Sequence, residues 1–529
     1  MRKSPVFSLV LFLTMSATAW AQAASPAQAL RLSVDDAVKM ALDQNVDLAA
    51  ARLDPQIGDT TVATAAGAFK PSLTTGVLSN NQLQPPAGFL VPVPTRTDVM
   101  TSSLGMGQHL SRFGTAYSLA WSTSHTTSDS FLNAYNPLLQ SGLGLTVSQP
   151  LFRDFIVDNA RTQLKVAQIN RDIADTRLRD SEVQTVADVK SAYWNLVSAR
   201  ATVEARQSTL ELAQELARVN HVKVEVGQSP PLDEVSAQAE VAADQEQLII
   251  AETSVKLAED RLRMLIFDPT DRAVWNVALE PVDAPPDATA AFDLEAAVSH
   301  ALDIRTDILR AKKDVDTAQA NLKLAGNQRM PDVRVSASYQ ANGLGGTAVL
   351  RSGGFPGTIV GPGPATPFTN VVNQLLTSEY PTWTAGVSVS YPLGHSVEDA
   401  NYARTKLERV QSEDRVKSAE ARAIQQVRTA GWNIEMNARR IETTRAERTL
   451  AEQRLDAERK RFEVGMSTSF LVIQAQRDLA QARTNELAAV LAYDLALVQF
   501  DAVQEAPPSV TAAVTFVNTG ATAIPGTTP

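Results

Sequence analysis

The chain has 529 residues, no cysteine and a formal net charge of −10 at pH 7. The absence of cysteine excludes disulfides, thiolate metal sites and a lipid-modified cysteine. An acidic balance without an evident basic patch argues against a nucleic-acid partner, and nothing in the composition calls for a cofactor.

A secretory signal peptide is predicted over residues 1–21. Arg2 and Lys3 form a short basic start, residues 6–15 are apolar, and residues 19–21 read Ala-Trp-Ala, a small-x-small cleavage site. A transmembrane anchor is the alternative. It fits poorly, because about ten apolar residues are too few for a membrane core that needs about 20.

An internal repeat follows, displaced by 260 residues without a gap. Residues 32–48 align with 292–308, and the match continues to the first strand. The positions that meet the same residue type 260 residues later are Ala37, Val38, Ala41, Leu42, Asp43, Asp47, Ala51, Asp54 and Pro71. One helix-then-strand unit is therefore predicted to be used twice. The predicted boundaries are a first structural repeat at 22–264, a linker or equatorial region at 265–290, a second structural repeat at 291–504 and a disordered tail at 505–529.

Each repeat changes from helical to strand periodicity after a proline, Pro71 or Pro331. Apolar and small polar residues alternate over residues 143–148, 333–340 and 382–391. A water-soluble sandwich would show the same alternation. After a signal peptide, however, strands with one apolar and one polar face, flanked by aromatics, are typical of outer-membrane barrels.

Two parts of the strand regions are less regular. Residues 80–96 and 341–380 are rich in Gln, Asn, Pro or Gly and are predicted to be surface loops. Residues 101–123 contain an additional alternating pair around the sequence Ser-Arg-Phe-Gly, which predicts a hairpin without a counterpart in the second repeat. The sequence leaves open whether this hairpin joins the sheet or projects from it.

Long segments without proline follow the strands, near residues 159–224 and 401–462. About 60–65 residues at 1.5 Å each predict helices on the order of 100 Å long. Such helices must pack lengthwise on others. Val189, Leu196, Val203 and Leu210 recur at heptad spacing, but polar residues break the second apolar row. A wall of helices fits this narrow stripe better than an isolated coiled coil, which stays as the alternative.

Both long helices end at a Val-Gly-x-Ser sequence, at residues 226–229 and 464–467. Gly227 and Gly465 suit the left-handed residue that closes a helix. The serines two positions later suit the cap of the next helix, and Pro230 suits the first helical position. Two helical hairpins are predicted, with tips that point the same way.

The opening helix motif, the doubled strands and the two tips, in this order, resemble the outer-membrane efflux protein family, the TolC-like trimeric channels. The resemblance covers residues 32 to about 499. It implies an α+β fold with internal duplication, assembled as a homotrimer. Each protomer would give four strands to one transmembrane antiparallel β-barrel, which long helical hairpins continue as a periplasmic α-barrel.

The resemblance also implies a function, that of a passive exit duct in the outer membrane for small molecules or secreted protein. The duct would belong to a tripartite efflux or type I secretion system and would not be an enzyme. The implied partners are further copies of the chain, a periplasmic adaptor (membrane-fusion) protein, an inner-membrane pump reached through the adaptor, and outer-membrane lipid. The adaptor would dock on the tips, at Val226, Gly227, Ser229, Val464, Gly465 and Ser467.

A periplasmic aperture is a separate question. Family members carry carboxylate rings just past the second tip, where this chain has Leu471 and Gln474. The first tip instead has Asp233 and Glu234, which either compensate a helix dipole or ring an aperture. Without the two basic residues of the signal, 46 basic residues stand against 58 acidic ones. The resulting charge of −12 predicts a negatively charged interior.

A coiled-coil fibre and an enzyme are the two alternative functions. A structural or adhesive coiled-coil fibre without a pore predicts solubility without detergent and no conductance. An enzyme would need a catalytic motif, and no serine-hydrolase, metalloprotease or nucleotide-binding motif is present. No two histidines have metal-ligand spacing on a helix among His109, His125, His221, His300 and His395.

Overall fold

The computed structural model describes residues 30–86, 93–285, 293–354, 357–391, 393–394 and 396–508. The predicted signal peptide and residues 509–529 of the predicted tail lie outside these ranges. Within them, no helix combines the length and the apolar character needed to cross a membrane.

Ten α-helices and nine strands make up the described ranges. The helices are α1 Val34–Gln44, α2 Val46–Ala51, α3 Asp54–Gly67, α4 Asn159–Glu225, α5 Pro231–Ile266, α6 Leu294–Ile304, α7 Thr306–Gln328, α8 Phe368–Leu376, α9 Val397–Glu463 and α10 Ser469–Glu505. The strands are β1 Leu30–Leu32, β2 Ser72–Gln84, β3 Thr95–His109, β4 Ala116–Ser128, β5 Tyr135–Pro150, β6 Leu279–Pro281, β7 Asp332–Ser352, β8 Thr358–Thr366 and β9 Tyr380–Ser390.

The two long helices confirm the prediction made from the absence of proline. Both α4 and α9 have 67 residues, and each begins and ends within four residues of the predicted bounds. Pro71 and Pro331 directly precede β2 and β7, so both mark the change from helix to strand. The predicted boundaries of the two repeats stay a prediction.

The chain divides into two compact units, which are described separately. Unit 1 comprises Met1–Val46, Thr185–Phe292 and Ala430–Phe500, and unit 2 comprises Asp47–Gln184, Asp293–Thr429 and Asp501–Pro529. Unit 1 holds the two helical tips and a small parallel pair, β1 with β6. Unit 2 holds one larger antiparallel sheet.

The core of unit 1 joins α1, the middle of α4 and the end of α5. Tyr193 is fully buried there, and its hydroxyl contacts the Leu32 carbonyl and the Asp283 carboxylate at 3.0 Å each. Burial raises the pKa of Tyr193 to about 12, so this phenol stays a neutral donor at every physiological pH. The predicted heptad stripe is therefore core in this region, since Val189 and Leu196 are also fully buried.

The sheet of unit 2 has the strand order β2-β3-β4-β5-β7, with β9 and β8 on the far edge of β7. Strand β9 pairs with the first half of β7 and β8 pairs with its last part. The additional hairpin, β3 with β4, lies inside the sheet between β2 and β5. The count of four strands is therefore wrong for this chain, because six strands pair side by side from β2 to β9.

The prediction of two long surface loops is also wrong in part. Strand β2 continues to Gln84, β7 continues to Ser352, and residues 358–376 form β8 and α8. Residues 87–92, inside the first of these predicted loops, lie outside the described ranges. Pairing with β3, β5 and β8 extends these strands past the apolar stretch. Their backbone hydrogen bonds need no alternation of side chains, so a sequence rich in Gln, Asn, Pro or Gly can form a strand there.

Helix α8 packs on two glycines of β7. Val371 of α8 is fully buried. A Cβ added at Gly343 would lie 2.5 Å from the Val371 carbonyl oxygen, and one at Gly345 would lie 2.5 Å from Val371 Cγ2. The Gln374 side chain accepts a 2.8 Å hydrogen bond from the Leu344 amide. Helix α8 thus covers the edge of β7 between the stretch that pairs with β9 and the stretch that pairs with β8.

We expect Gly345→Ala to lower the stability of unit 2 by about 1–3 kcal/mol, because the new methyl overlaps Val371 and the strand cannot move away. The thermal midpoint of the purified protein in detergent measures this effect. Gly354→Ala is the control, since a Cβ there meets nothing within 4 Å. An equal midpoint for the two variants would contradict the packing argument.

Candidate functional site

One face of the six strands that pair side by side from β2 to β9 carries an unbroken apolar row. The registers of all five strand pairs place one large apolar residue on each strand at the same level. The row reads Leu73, Met106, Leu119, Leu145, Tyr339 and Trp383. All six side chains are exposed, from 37% at Met106 to 75% at Trp383. A row of this size exposed on a sheet marks a surface for lipid or another apolar partner.

The opposite face carries small and polar residues in the same registers. One row reads Ser72, Gly107, Ser118, Thr146, Ser338 and Thr384. The residues of this row are uncharged, and the side chains are short. The two faces therefore differ as the lipid side and the water side of a barrel wall differ.

Both edges of the sheet are open. Every residue of β2 and every residue of β9 is exposed. Large apolar side chains such as Val77, Val387 and Val389 belong to these edges, each about two-thirds exposed. Open edges leave backbone N–H and C=O groups without partners, which a lipid environment does not tolerate.

The turn between β3 and β4 is anchored beside the start of α4. The Phe113 and Phe155 rings stack with centroids 5.2 Å apart. Gly114 has φ +65°, and a Cβ there would lie 2.3 Å from the Asp154 carbonyl oxygen. Arg161 binds the Asp158 carboxylate at 3.0–3.1 Å and donates to the carbonyls of residues 154 and 155 at 2.9–3.1 Å. The inserted hairpin and the β5–α4 connection thus form one packed joint.

The two helical tips share one backbone motif, as the sequence predicts for the glycines. Gly227 and Gly465 have φ +73° and +78°. In the first tip, the amides of residues 227 and 228 donate to the carbonyls of residues 224 and 223. The second tip repeats this pattern with residues 465 and 466 donating to 462 and 461. Both are Schellman turns, which close a helix with a left-handed glycine.

The capping prediction for the following helices is wrong. Pro230 is the residue before α5, and Pro231 takes the first helical position instead. Ser229 therefore lies one residue too early to cap α5. The Ser467 hydroxyl donates to Glu458 at 2.8 Å, so it ties the turn back to α9 rather than capping α10. Proline at the N-terminus fixes a suitable backbone conformation without a capping side chain.

The two tips pack against each other within unit 1. Asn220 of α4 is fully buried and donates to Ser469 Oγ at 2.6 Å. The Lys223 ammonium lies 3.6 Å from the centre of the Phe462 ring and 3.1 Å from the Phe462 carbonyl oxygen. Beneath these contacts lies a core whose buried members are Leu216, Leu455, Phe462, Val472, Ile473, Ala475 and Leu479. Sequence reasoning missed these tip-to-tip contacts, since no local pattern marks a buried Asn or a partly buried Lys on a mostly polar helix.

An ion pair between a buried carboxylate and a largely exposed arginine joins the same two hairpins farther from the tips. Arg477 of α10 donates to both carboxylate oxygens of Glu240 on α5, at 2.8 Å from its Nε. The Glu240 residue is 7% exposed. Bidentate pairs of this kind fix geometry as well as charge, so the pair sets the register of α5 against α10.

The candidate docking residues lie at the surface of the tips. Val226 and Val464 are 62% and 70% exposed, and both glycines are exposed. Further large apolar residues are exposed nearby, namely Leu232, Val235, Met466 and Phe470. We call these four together with Val226 and Val464 the apolar tip surface. An apolar surface of this kind at the end of two helical hairpins indicates a site of protein interaction.

The candidate aperture residues occupy the first turn of α5. Glu234 contacts His221 at 2.9 Å and accepts from Gln238 at 3.0 Å. The hydrogen bond to Glu234 and the charge of Glu225 raise the pKa of His221. Asp233 is partly exposed, and its carbonyl accepts from Asn220 at 3.3 Å. At the second tip, Gln474 donates to Asp478 at 2.9 Å, and Leu471 is exposed.

The structure also bears on the acidic residues and histidines as possible metal ligands. Within the part of the chain that the structure describes, no group of three or more His, Asp or Glu residues could hold a metal ion. His221 lies in the tip contacts, whereas His109 lies in the joint, 3.7 Å from Asp158. His395 is outside the described residues.

This fold is that of solved outer-membrane channels. A membrane protein from Pseudomonas aeruginosa superposes with a TM-score of 0.65 at 15% identity, covering 89% of this chain and 90% of that one. The CmeC outer membrane channel of Campylobacter jejuni gives 0.62 at 14% identity, covering 89% and 85%. At these identities the likeness shows the fold alone.

Sequence comparison gives the family. The profile of the outer membrane efflux protein family matches residues 37–266 and 297–503, and the chain belongs to this family. The outer membrane efflux protein BepC of Brucella suis is 24% identical over 337 residues. That match covers 64% of this chain and 66% of the relative, just under two thirds of its length. The chain is thus a member of a family of outer-membrane efflux proteins, and this membership does not favour the fibre without a pore.

Proposed function

We propose that this protein is the outer-membrane duct of a tripartite efflux or type I secretion system. Three copies share one β-barrel in the membrane and one α-barrel of helical hairpins in the periplasm, and small molecules or secreted protein leave through it passively. The observation that carries the proposal is the sheet with one exposed apolar face, one small polar face and two open edges. In lipid such a sheet needs further copies to close its edges.

The membrane assembly can be tested directly. We expect the protein to be extracted from outer membranes only by detergent, to have the mass of three chains, and to conduct ions in planar bilayers. A monomer that stays soluble without detergent would overturn the proposal. A trimer without conductance would favour the fibre instead.

The partner at the periplasmic end is proposed to be the adaptor protein of such a system, with the inner-membrane pump behind it. Support comes from the apolar tip surface, because exposed apolar side chains on a helical hairpin fit a partner helix that offers the same. Asp substitutions at Val226 and Val464 should abolish co-purification with the adaptor while leaving the trimer intact. Gln228→Asp is the matched control, because it adds the same charge to an exposed tip residue without removing an apolar side chain.

For the aperture, we propose that Asp233 and Glu234 form a ring of carboxylates at the first tip. Replacing both by Asn and Gln should lower the preference for cations roughly twofold or more, because six carboxylates leave the ring of a trimer. The reversal potential in a salt gradient measures this preference. Asp456→Asn, at an exposed ion pair on α9, is the control. An unchanged preference would assign the two acids to the helix dipole of α5 instead.

A further inference from the structure

The inserted hairpin β3–β4 lies in the middle of the sheet, so it bears on the size of the barrel that the proposed function requires. It has β2 on one side and β5 on the other, with uninterrupted antiparallel register across all three pairings. With 15 and 13 residues, β3 and β4 each exceed the 9–11 residues that a tilted membrane strand needs. The hairpin is thus as long as a spanning element must be.

The faces of the hairpin agree with those of its neighbours. Leu104 and Trp121 face each other on the apolar side, next to Thr75 of β2 and Leu143 of β5. A one-residue slip would turn these side chains to the polar face. A hairpin that projected from the sheet would need no such match of faces. If β3 and β4 left the sheet, β2 would also lose its only pairing partner among the described strands.

The hairpin turn is also fixed at the level where β5 leaves the sheet. Gly114 fits beneath the Asp154 carbonyl, and Gln149 donates to the Phe113 carbonyl at 2.8 Å. A hairpin that projected from the sheet would have to break both contacts.

We infer that each chain contributes six strands to the wall, and that β2 of one copy pairs with β9 of the next to close a barrel of 18 strands. The inference rests on the proposed trimer. Three copies of the strand order β2-β3-β4-β5-β7-β9 give this number. Strand β8 is not counted, because it pairs only with the end of β7 beyond β9.

The bore follows from the number of strands. With strands about 4.8 Å apart and tilted by about 40°, 18 strands form a cylinder about 35 Å across between backbones, against about 24 Å for 12 strands. Barrels of 16–18 strands leave an aqueous channel, so bulky cargo would meet no constriction from the wall itself.

Cysteine pairs test the strand order, because the chain has no cysteine of its own. Ser72, Ser118 and Thr146 lie in one row of the polar face, on β2, β4 and β5. In the full-length protein in outer membranes, Ser118→Cys with Thr146→Cys should form an intramolecular disulfide on mild oxidation. Ser72→Cys with Thr146→Cys should not, because three strand spacings, about 14 Å, exceed the reach of a disulfide of about 7 Å.

The opposite pattern, or an imaged trimer with a barrel near 24 Å, would overturn the inference. A barrel near 35 Å in the imaged trimer supports it even where neither pair is oxidised. The proposed function is judged separately, by trimer mass and membrane location. A membrane-inserted trimer with a 12-stranded wall therefore refutes the wider barrel alone, whereas a soluble monomer refutes both.

Discussion

Replacing Arg305 by Met is expected to lower the free energy of unfolding by about 3–5 kcal/mol, because it removes one partner of a buried charge network. The Arg305 side chain is completely buried where α6 meets α7. Its Nε donates to Asp307 at 2.9 Å, its Nη1 donates to the Val503 carbonyl at 3.2 Å, and its Nη2 donates to Gln426. Met fills similar space but removes the donor to all three acceptors, of which Asp307 keeps only the hydrogen bond from the Ile308 amide among the described residues.

A denaturant titration in detergent measures the loss. Arg404→Met is the matched control within unit 2, since Arg404 is 65% exposed and makes one ion pair with Glu408 one turn away. Exposed pairs of this kind contribute less than about 1 kcal/mol. If both variants lost the same small amount, the network around Arg305 would not hold the α6–α7 junction as described.

The second large effect is a pH dependence carried by Asp494. This residue of α10 is 3% exposed, and its Oδ1 has no hydrogen-bond partner among the described residues. Burial raises its pKa from the usual 3.8 to about 7. Between these two values the folded chain keeps a proton that the unfolded chain has released, so the free energy of unfolding falls as the pH rises.

A difference of about three pKa units corresponds to about 4 kcal/mol per chain, lost between pH 4 and pH 7. The wild-type protein should therefore melt at a higher temperature at pH 5 than at pH 8. Asp494→Asn has no titrating group, so the part of the pH dependence due to this residue should disappear and stability at pH 8 should rise. A variant with the wild-type pH profile would show that Asp494 stays ionised in the folded chain.

The helical half of the fold was predictable because its signals are local. An absence of proline over some 65 residues bounded α4 and α9 to within four residues. Gly227 and Gly465 predicted both tip turns, because only glycine takes positive φ at little cost. The docking role of the tips was implied by the resemblance to the efflux family and stays a prediction, and the structure places Val226 and Val464 at the surface.

The strand half was predictable only where lipid imposes alternation. Residues 143–148 and 382–391 alternate because one face is apolar, and both lie in strands. Strand β8 has no such face, and its Gly-rich and Pro-rich sequence resembles a loop. Helix α8 does have an apolar face, with Val371 and Leu375 buried, but its nine residues are too few for the helical period to stand out. The place of the β3–β4 hairpin depends on its registers with β2 and β5, and the alternation within the hairpin does not specify those registers.

The contacts between the two tips were not predicted from the sequence, for a different reason. Asn220, Lys223 and Arg477 act through partners some 240 residues away along the chain. A polar residue on a long helix looks the same in sequence whether it faces water or a buried partner.

The Schellman turns at the two tips have a consequence for divergence. A Cβ added at Gly227 or Gly465 meets nothing within 4 Å, and backbone hydrogen bonds close both turns, with the Ser467–Glu458 hydrogen bond in addition at the second tip. The flanking side chains are therefore free to change without disturbing the bend. Selection for a new binding partner can therefore substitute these flanking residues one at a time, while the glycine turn keeps its backbone conformation.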